Sequence, residues 1–582
     1  MTAAQGQPPL PTGGGMGGGL VPGIYSPPEA MRPTVVGDRW AVVAGHPLVS
    51  QIAADVLSRG GNAIDAGVAA GIASNVVQVD MANFGGIAPI LVRVAGRDVA
   101  QSVAGVGRWG MAADREGLQA RYGGGLPLGG VPCIVPGAPS AWITALARFG
   151  TWSFSEVAAP AAELALGGFP LDLRTAESLR LMGTGFARWP TTREIYWPSG
   201  RAPGFGERLV QADLGRLLGI LAAAEQGDTR LERLNAVHNA FYRGPIAAQI
   251  VSFVQSAGGY LAEPDLASFQ AQVAQAPSVS YRDWRVFVPP TWSQGLITAQ
   301  ALGILRGIPL AQLGHNSPDY LHHVIEALKL AFADREQYYG DPDFTRLDPE
   351  ELVSERYLAT LRARIGRRAL GKLAAADESA SPLRSTTAVA VVDAHGNAFC
   401  TAPSDTLDGA PIISGLGISC SPRGVQSRLA AGHPNALAPG KRPCVTPAAL
   451  IALGGEGNSE TWAMACPGGD VIVQALTQVF LNMTEFGMTA QQAVEAPRIA
   501  GFSFPSAFHP HPGADRLVFV EDRIGPEVRD ELERRGHDIH LWPPYEFDAG
   551  SVQHCRAAAP GSEQCLITAG ADPRRSAYAI AR

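Results

Sequence analysis

Two adjacent threonines, Thr386 and Thr387, stand where a polar, charged segment gives way to a run of small and β-branched residues. Residues 388–392 favour a buried strand, and the turn signal at 393–397, followed by a second short apolar run, predicts a β-hairpin. A hydroxyl group where a loop becomes a buried strand is in the position expected of a self-cleaving N-terminal nucleophile. The same residues also fit an ordinary strand start, because threonine is common in strands.

The chemistry open to such a threonine is attack on an amide carbonyl. Its neutral hydroxyl is a weak nucleophile and needs an adjacent base to accept the proton. If cleavage made Thr386 the first residue of a new chain, its own α-amine would serve, because an α-amine titrates at about pH 7.7–8.0. No histidine is then required, which suits a chain without an evident Ser/His/Asp set. Cleavage one residue later would make Thr387 the nucleophile.

The composition limits the other function classes. Of 582 residues, 46% are hydrophobic and only 17% charged, with 68 glycines and 45 prolines, which fits a large, turn-rich, buried α/β core. The net charge of −7 and the lack of a basic tract argue against a nucleic-acid partner. The sequence contains no apolar run of about 18 residues, the length that a membrane-spanning helix would need. Seven cysteines without a CxxC pair favour free thiols in a reducing compartment.

Residues 1–40 are rich in glycine and proline and lack the basic and apolar regions of a secretory signal. We therefore expect a flexible leader, order beginning near Trp40, and a cytoplasmic protein. The glycine runs do not follow strands, so the pattern excludes a nucleotide-binding Rossmann fold. The hydrophobic periodicity predicts helices at 51–59, 65–77, 321–338, 356–373 and 472–486, and strands at 41–44, 89–92 and 278–290.

Several separated motifs together resemble the γ-glutamyltranspeptidase family of N-terminal nucleophile hydrolases. Each is weak alone, but their order and spacing over residues 41–582 are specific, and the chain is most similar to a shorter, cytoplasmic branch. The motifs are His46-Pro47-Leu48-Val49-Ser50-Gln51, Arg59-Gly60-Gly61-Asn62-Ala63-Ile64-Asp65-Ala66, Gly314-His315-Asn316-Ser317, Glu326-Ala327-Leu328-Lys329-Leu330-Ala331-Phe332-Ala333-Asp334-Arg335, Gly340-Asp341-Pro342, the threonine hairpin, Pro467-Gly468-Gly469, Glu495-Ala496-Pro497-Arg498 and Ala571-Asp572-Pro573-Arg574.

The resemblance implies an α/β (α+β) fold, built as a four-layer αββα sandwich, and a precursor that cuts itself between Ser385 and Thr386. The large piece, 41–385 after the leader, and the small piece, 386–582, would associate as one αββα unit, with Thr386 as nucleophile. The resemblance implies a small-molecule amide substrate, with no cofactor and no metal, and it is compatible with a homo-oligomer.

The family's motifs also imply roles for residues around the nucleophile. The backbone amides of Gly468 and Gly469 are expected to bind the oxyanion, although a plain tight turn would also use two glycines. Ser404, 18 residues after Thr386, matches a hydroxyl that hydrogen-bonds the nucleophile. Thr406 stands where the family usually has asparagine, so we expect it to face the substrate.

The residues that hold an amino-acid substrate in typical members are only partly present. Arg423 and Gln426 stand where the family has the glutamine and the acidic residue that hold the α-amino group. An arginine cannot hold an ammonium group, but it could hold a carboxylate. The family's serine pair for the α-carboxylate aligns with Val445 and Thr446, so one hydroxyl is retained.

Other polar residues are weaker candidates. Arg115 falls near the family's carboxylate-binding arginine, with Arg108 as an alternative, and either one also fits a solvated surface arginine. His315, His322 and His323 lie at or near the predicted long helix, but no converging ligand set is evident, so a structural role is expected. Cys466, beside the Pro-Gly-Gly motif, could line the pocket.

The sequence therefore predicts an autoprocessing γ-glutamyl hydrolase or transferase, such as a glutathione hydrolase, that acts through a threonyl acyl-enzyme. Arg423 favours a second hypothesis, an amidohydrolase for another small acidic acyl group such as an oxamate or glutaryl amide. A third hypothesis is an uncleaved, non-catalytic relative that acts by binding.

Overall fold

Helices and strands alternate along the chain. The computed structural model describes residues 30–582 except 124, 187, 199, 346, 372, 374–385, 406, 408 and 456–458. The strands are β1 (Val35–Gly37), β2 (Trp40–Ala44), β3 (Ile90–Arg93), β4 (Ala100–Val103), β5 (Phe169–Pro170), β6 (Arg208–Leu209), β7 (Val273–Gln275), β8 (Ser278–Tyr281), β9 (Trp284–Phe287), β10 (Val389–Asp393), β11 (Ala398–Thr401), β12 (Ile412–Ile413), β13 (Ile418–Ser419), β14 (Ala449–Gly454), β15 (Glu460–Ala465), β16 (Ile499–Gly501), β17 (Leu517–Glu521), β18 (Asp538–Trp542), β19 (Gln553–Ala558), β20 (Leu566–Ala571) and β21 (Tyr578–Ala581).

The helices lie mainly in the first two thirds of the chain. They are α1 (Pro47–Ser58), α2 (Ala63–Val77), α3 (Arg115–Tyr122), α4 (Ala138–Phe149), α5 (Phe154–Gly167), α6 (Leu173–Leu181), α7 (Gly183–Phe186), α8 (Pro190–Tyr196), α9 (Ala212–Ala223), α10 (Arg230–Tyr242), α11 (Pro245–Ser256), α12 (Glu263–Ala267), α13 (Leu296–Leu305), α14 (Leu310–Leu313), α15 (Pro318–Tyr338), α16 (Pro349–Leu352), α17 (Glu355–Arg362), α18 (Ile472–Thr484), α19 (Ala490–Glu495) and α20 (Pro526–Arg534), with short 3-10 helices at Arg423–Gln426, Gly469–Val471 and Phe547–Ala549.

Two seven-stranded sheets form the centre of the described structure. In sheet A the strand order is β1-β20-β19-β15-β14-β9-β8, and in sheet B it is β21-β2-β10-β11-β3-β4-β7. Neighbouring strands in both sheets run antiparallel. The predicted threonine hairpin is β10 and β11, in the middle of sheet B.

The alternation of side chains along β10 explains how the two sheets are packed. Ala390 and Val392 lie in an apolar cluster with Ile451 and Cys555 of sheet A, so one face of each sheet contacts the other. Successive residues of a strand point to opposite faces, and Val391 accordingly packs in a second cluster with helices α1, α2, α4 and α5. A third cluster joins the other face of sheet A to α13, α15 and α18.

The mixed α/β class and most predicted elements are confirmed. Strand β1 lies inside the segment expected to be a flexible leader and pairs with β20, so ordered structure begins before Trp40. The long helix α15 begins at Pro318, with Ser317 as its N-cap, because proline is favoured in the first turn. No helix in the described residues is long and apolar enough to cross a membrane.

The helix predicted over 356–373 is wrong beyond Arg362, where α17 ends. Buried side chains of α15 bind the backbone that follows. Leu370 donates its N–H to Glu326 Oε2 at 3.0 Å, and its carbonyl accepts from Lys329 Nζ at 2.8 Å. These contacts replace the local hydrogen bonds of a helix, so tertiary structure overrides an amphipathic pattern.

Candidate active site

Thr386 lies at the end of sheet B, just before β10, and it is 1% exposed. Its backbone pairs antiparallel with Ser404, in the register that joins Val389 to Thr401 in the hairpin. This register brings the two side chains together, with 2.9 Å between Thr386 Oγ1 and Ser404 Oγ. The hairpin geometry therefore places the Ser404 hydroxyl beside Thr386, the position that the family motif implied.

A buried arginine supports this hydroxyl pair. Arg423 donates a hydrogen bond from Nη2 to Ser404 Oγ and another from Nε to Asp405 Oδ1. Ser421 Oγ donates to the other carboxylate oxygen of Asp405 at 2.6 Å. Burial raises the pKa of Asp405 above its usual range, while the Arg423 charge and the Ser421 hydrogen bond oppose that shift. The result is a chain of contacts from a carboxylate to Thr386.

Asp405 was not predicted from the sequence. Its φ angle is 109°, a conformation that residues with a side chain rarely adopt. The strain is located directly after Ser404, where it turns the carboxylate toward Arg423. Its position next to a predicted site residue was the only signal in the sequence.

The remaining predicted substrate residues on this side extend the same network. Arg423 Nη1 donates to Gln426 Oε1 at 3.2 Å, and Gln426 Nε2 lies 3.4 Å from Thr446 Oγ1. All three side chains are buried. The site residues Ser385 and Thr406 lie outside the described residues.

The Gly468–Gly469 turn follows β15 and leads into α18. The φ angles of Gly468 and Gly469 are 140° and 61°, which explains why glycine stands at both positions. Gln294 Nε2 donates to the carbonyl of Gly469 at 3.1 Å. Arg335 Nη1 donates to Gln294 Oε1 at 3.0 Å and to Asp470 Oδ1 at 2.7 Å. A buried ion pair between Arg335 and Asp470 thus holds the turn, and the sequence analysis assigned no role to either residue.

Thr387 has different surroundings from Thr386. Its Oγ1 donates to Gln78 Oε1 at 2.5 Å, and its N–H donates to the carbonyl of Pro403 at 3.0 Å. Both threonines line a narrow cavity together with Gly45, Gln78, Asp80, Met81, Asp172, Arg174, Thr175, Pro467, Phe547, Gln553, Arg575 and Ser576.

A second narrow cavity is lined by Gln426 and Val445. Its wall contains one carboxylate, Glu336, and two arginines, Arg335 and Arg428. Glu336 accepts from Arg428 at 2.5 Å and pairs with Arg335 at 2.8 Å. Burial favours the protonated form of Glu336, but Arg335, His433 and Arg428 lower its pKa to about 2. A ligand in this cavity therefore meets a carboxylate that is already bound by arginines.

Neither of the two arginines predicted to bind a substrate carboxylate, Arg115 and Arg108, contacts the network of Ser404, Arg423 and Gln426. Arg115 Nη1 donates to the carbonyl of Leu429 at 3.0 Å, and Nη2 bonds Glu116 at 3.1 Å. Arg108 pairs with Asp341 at 3.4 Å and also with Asp343.

The histidines near the long helix have protein partners. Within the described residues, His322, Glu326 and His537 are close enough together to hold a metal ion. However, both oxygens of Glu326 accept hydrogen bonds from Lys329 and the Leu370 N–H. The two histidines also share a 2.9 Å hydrogen bond between His322 Nδ1 and His537 Nε2. His315 and His323 bond elsewhere, to Asn482 and to the Asp319 carbonyl.

Cys466 is next to the Pro-Gly-Gly turn, but it has the environment of an inert thiol. Its Sγ lies 3.1 Å from the carbonyl of Pro467. Burial raises its pKa to about 12, so the reactive thiolate is scarce at neutral pH.

Comparison with known proteins identifies the family. The model of the family described as Gamma-glutamyltranspeptidase matches residues 49–582, and the chain belongs to this family. The predicted family is thus confirmed, and with it an enzyme of the hydrolase and transferase type. The chain is similar to the Glutathione hydrolase-like YwrD proenzyme of Bacillus subtilis (strain 168), with 31% identity over 560 residues that cover 94% of this chain and 100% of that protein.

Two further similarities involve acylases. The Acylase ACY 1 proenzyme of Pseudomonas sp. (strain SE83) is 32% identical over 515 residues, 86% of this chain and 88% of that protein. The crystal structure of a cephalosporin acylase from Bacillus halodurans superposes with a TM-score of 0.82 at 28% identity, over 97% of this chain and 99% of that one. Proteins similar to this chain are thus named either as glutathione hydrolases or as acylases.

Proposed function

We propose that this chain is an autoprocessing γ-glutamyl hydrolase or transferase in which Thr386 is the nucleophile. The observation that carries the proposal is the buried pair of hydroxyls, Thr386 and Ser404, 2.9 Å apart at the edge of a cavity. The similarity to the YwrD proenzyme supports both the processing and the acyl group. Seven free cysteines support the expected cytoplasmic location.

The fold supports cleavage into two pieces, 41–385 and 386–582, that remain associated in an αββα sandwich. In sheet B, β10 and β11 of the later piece lie between β2 and β3 of the earlier one. In sheet A, the later strands β14, β15, β19 and β20 lie between β1 and β9. Because each sheet needs strands from both pieces, separating them would expose the apolar clusters on both sheet faces.

In the proposed reaction, processing frees the α-amine of Thr386, which then accepts the proton of its own hydroxyl. The Oγ1 attacks the amide carbonyl, and the N–H groups of Gly468 and Gly469 bind the resulting oxyanion. The α-amine of Thr386 then passes this proton to the nitrogen of the substrate amide. The C–N bond breaks, the amine portion of the substrate leaves, and the acyl group remains as an ester on Thr386. Water or a second amine then attacks the ester and restores the hydroxyl.

The arginine behind Ser404 has a clear electrostatic role in this scheme. Because Ser404 Oγ accepts from Arg423, the hydroxyl hydrogen of Ser404 is available to donate to Thr386 Oγ1. Donation through a hydroxyl bonded to a cation stabilises negative charge on the attacking oxygen. Asp405, in turn, fixes the Arg423 guanidinium and balances its charge.

A second candidate function is hydrolysis of another acidic acyl amide, such as a glutaryl or oxamate amide. It is favoured by Gln426 at the family's acidic position and by the Asp405 carboxylate, which Arg423 and Ser421 already bind. The carboxylate in this network is thus committed to an arginine rather than open to a substrate ammonium. The similarity to Acylase ACY 1 also supports this candidate.

Denaturing electrophoresis tests the processing step. Cleavage before Thr386 should give bands of about 40 kDa for residues 1–385 and about 21 kDa for residues 386–582, by their share of the 61.0 kDa chain. N-terminal sequencing of the smaller band should begin at Thr386. The variant Thr386→Ala should remain one band, whereas Thr387→Ala should still be cleaved. A single band in the unaltered protein would instead support the non-catalytic hypothesis.

Activity assays separate the two acyl groups. The processed protein should release 4-nitroaniline from γ-glutamyl-4-nitroanilide and should cleave glutathione. Turnover of glutaryl-4-nitroanilide or oxamate without any turnover of γ-glutamyl compounds would replace the first candidate with the second.

A further inference from the structure

Two buried cysteines, Cys133 and Cys420, contact each other although they are 287 residues apart in the sequence. Cys133 Sγ lies 3.4 Å from the carbonyl of Gly129 and 3.5 Å from the carbonyl of Cys420. Cys420 Sγ lies 3.2 Å from the carbonyl of Ile134. The two thiols also hydrogen-bond each other, and the residues are 2% and 1% exposed. They form a pair of reduced thiols in direct contact.

Backbone hydrogen bonds hold the two segments around these cysteines together. The N–H of Ile134 donates to the carbonyl of Ser421 at 2.9 Å, and the N–H of Gly424 donates to the carbonyl of Pro132 at 3.0 Å. Hydrogen-bonded neighbouring segments have Cα atoms about 4.5–5.5 Å apart. A disulfide can form across such a spacing with little movement of the backbone.

The two thiols lie on opposite sides of the proposed cleavage point in the sequence. Cys133 is the only cysteine before Thr386, and the other six follow it. If the chain is cut before Thr386, a step that rests on the function proposed above, Cys133 belongs to one piece and Cys420 to the other. Any disulfide that joins the two pieces must then use Cys133, and its sulfur already contacts Cys420.

Cys420 is connected to the candidate active site through the residues that follow it. The next side chain, Ser421, donates to Asp405 at 2.6 Å. Arg423, three residues after Cys420, binds both Asp405 and Ser404. A shift of the backbone at Cys420 would therefore be transmitted to the carboxylate and the hydroxyl that support Thr386.

The surroundings of the pair determine which oxidant can reach it. Burial, together with the hydrogen bond from Cys133, raises the pKa of the Cys420 thiol, so the reactive thiolate is scarce at neutral pH. The low exposure of both residues favours a small oxidant, such as a peroxide, over a bulky disulfide. The pair should therefore stay reduced in a reducing compartment and react only when a peroxide is present.

We propose that a peroxide converts Cys133 and Cys420 into a disulfide, which joins the two pieces covalently and lowers turnover by displacing Ser421. One sulfur attacks the peroxide, the O–O bond breaks, and a sulfenic acid and one water form. The second sulfur attacks the sulfenic sulfur, and the S–O bond breaks. The released hydroxide takes the remaining thiol proton and leaves as a second water. The two thiols lose two electrons in total, and these reduce one hydrogen peroxide to two waters.

The same step removes hydrogen bonds near the site. Both thiol hydrogens are lost, so neither sulfur can donate to the neighbouring carbonyls of Gly129 and Ile134. The sulfur of Cys420 moves toward Cys133, and the backbone that carries Ser421 follows.

Non-reducing electrophoresis of the processed protein tests the cross-link. Hydrogen peroxide should convert the bands of about 40 and 21 kDa into one band of about 61 kDa, and dithiothreitol should restore both bands by thiol–disulfide exchange. Cys133→Ser and Cys420→Ser should each keep two bands after the same treatment. Cys565→Ser is the matched control, because it removes a half-buried cysteine of the later piece and should still give the band of about 61 kDa.

Turnover of the same samples measures the effect on the site. The kcat of the oxidised protein with γ-glutamyl-4-nitroanilide, or with the glutaryl anilide if that acyl group is the one accepted, should be about tenfold lower than that of the reduced protein. This is the effect expected when one hydrogen bond to a charged group is lost. Dithiothreitol should restore kcat, and Cys133→Ser should keep its kcat after peroxide treatment. A cross-linked protein with an unchanged kcat would refute the effect on turnover.

Mass spectrometry of proteolytic peptides tests the pairing whether or not the chain is cleaved. After peroxide treatment and alkylation without reduction, a peptide pair linked through Cys133 and Cys420 should be found. If the chain remains uncleaved but this linked pair is present, the proposed processing fails while the disulfide stands. If two pieces form but the linked pair is absent, or if Cys133 is linked to another cysteine, the processing stands and the proposed disulfide is rejected.

Discussion

Asp470 holds the turn whose amides we expect to bind the oxyanion, so Asp470→Asn should slow the chemical step. Its Oδ1 accepts from Arg335 Nη1 at 2.7 Å, and its Oδ2 accepts from the N–H of Ala507 at 3.0 Å. Both side chains of the ion pair are at least nine-tenths buried. An asparagine has only one oxygen, so its NH₂ group would face one of these two donors.

The size of the effect follows from that lost contact. A hydrogen bond to a charged group contributes about 1.5–3 kcal/mol, and water cannot easily replace it at a buried site. The lost hydrogen bond to Asp470 would then no longer help to hold the Gly468–Gly469 amides in line with the oxyanion of the transition state. We therefore expect kcat to fall about tenfold to a hundredfold, because about 1.4 kcal/mol corresponds to a factor of ten. KM should change less than about twofold, since the oxyanion exists only after attack.

Steady-state kinetics of the processed variant with γ-glutamyl-4-nitroanilide measures both constants, and thermal unfolding reports stability in parallel. Asp343→Asn is the matched control, because this carboxylate pairs with Arg108 but its side chain is 47% exposed. We expect its kcat within about twofold of the unaltered protein. A lowered melting temperature with an unchanged kcat in Asp470→Asn would refute the role of this ion pair in catalysis.

Three other substitutions test separate parts of the structure. Ser404→Ala removes the hydroxyl 2.9 Å from Thr386 Oγ1 and should lower kcat by about tenfold or more, whereas Ser404→Thr should restore most of it in the same assay. Lys329→Met leaves the buried Glu326 without its ion partner and should destabilise the protein by about 3–5 kcal/mol. Adding Glu326→Gln should restore more than half of the lost stability, as measured by thermal unfolding. No recovery of stability in the double variant would contradict the assigned ion pair. Because burial raises the pKa of Asp80 to about 6, the folded state binds that proton more tightly than the unfolded state, and stability should decline from about pH 4 to pH 6. The stability of Asp80→Asn should not decline over this range. At pH 7 its free energy of unfolding should exceed that of the unaltered protein by up to about 3 kcal/mol. Unfolding midpoints at pH 4 and pH 7 for both proteins would check this.

The sequence anticipated the parts of this protein that depend on local structure. The hairpin β10–β11 is defined by strand-forming residues on either side of a turn, and that turn also fixes the register in which Thr386 meets Ser404. The two glycines of the Gly468–Gly469 turn could likewise be found, because their conformations exclude most other residues.

Sequence patterns failed where a distant segment supplies the partner. The helix expected to continue beyond Arg362 ends there because Glu326 and Lys329, about 40 residues earlier, bind the backbone of Leu370. The apolar periodicity of a segment carries no information about polar groups on another helix.

The chain thus determined by itself the family, the α/β class and the hydroxyl residues of the candidate site. Only the tertiary structure decided which charges are paired. Arg423, which the sequence offered as a substrate contact, faces Asp405 and Ser404. Arg575, to which no motif assigned a role, lies 3.4 Å from the carbonyl of Thr386 and forms no ion pair with any residue that the structure describes. Register and turn conformation are set by neighbours in sequence, but the partner of a buried charge is set by segments that are far apart until the sheets pack together.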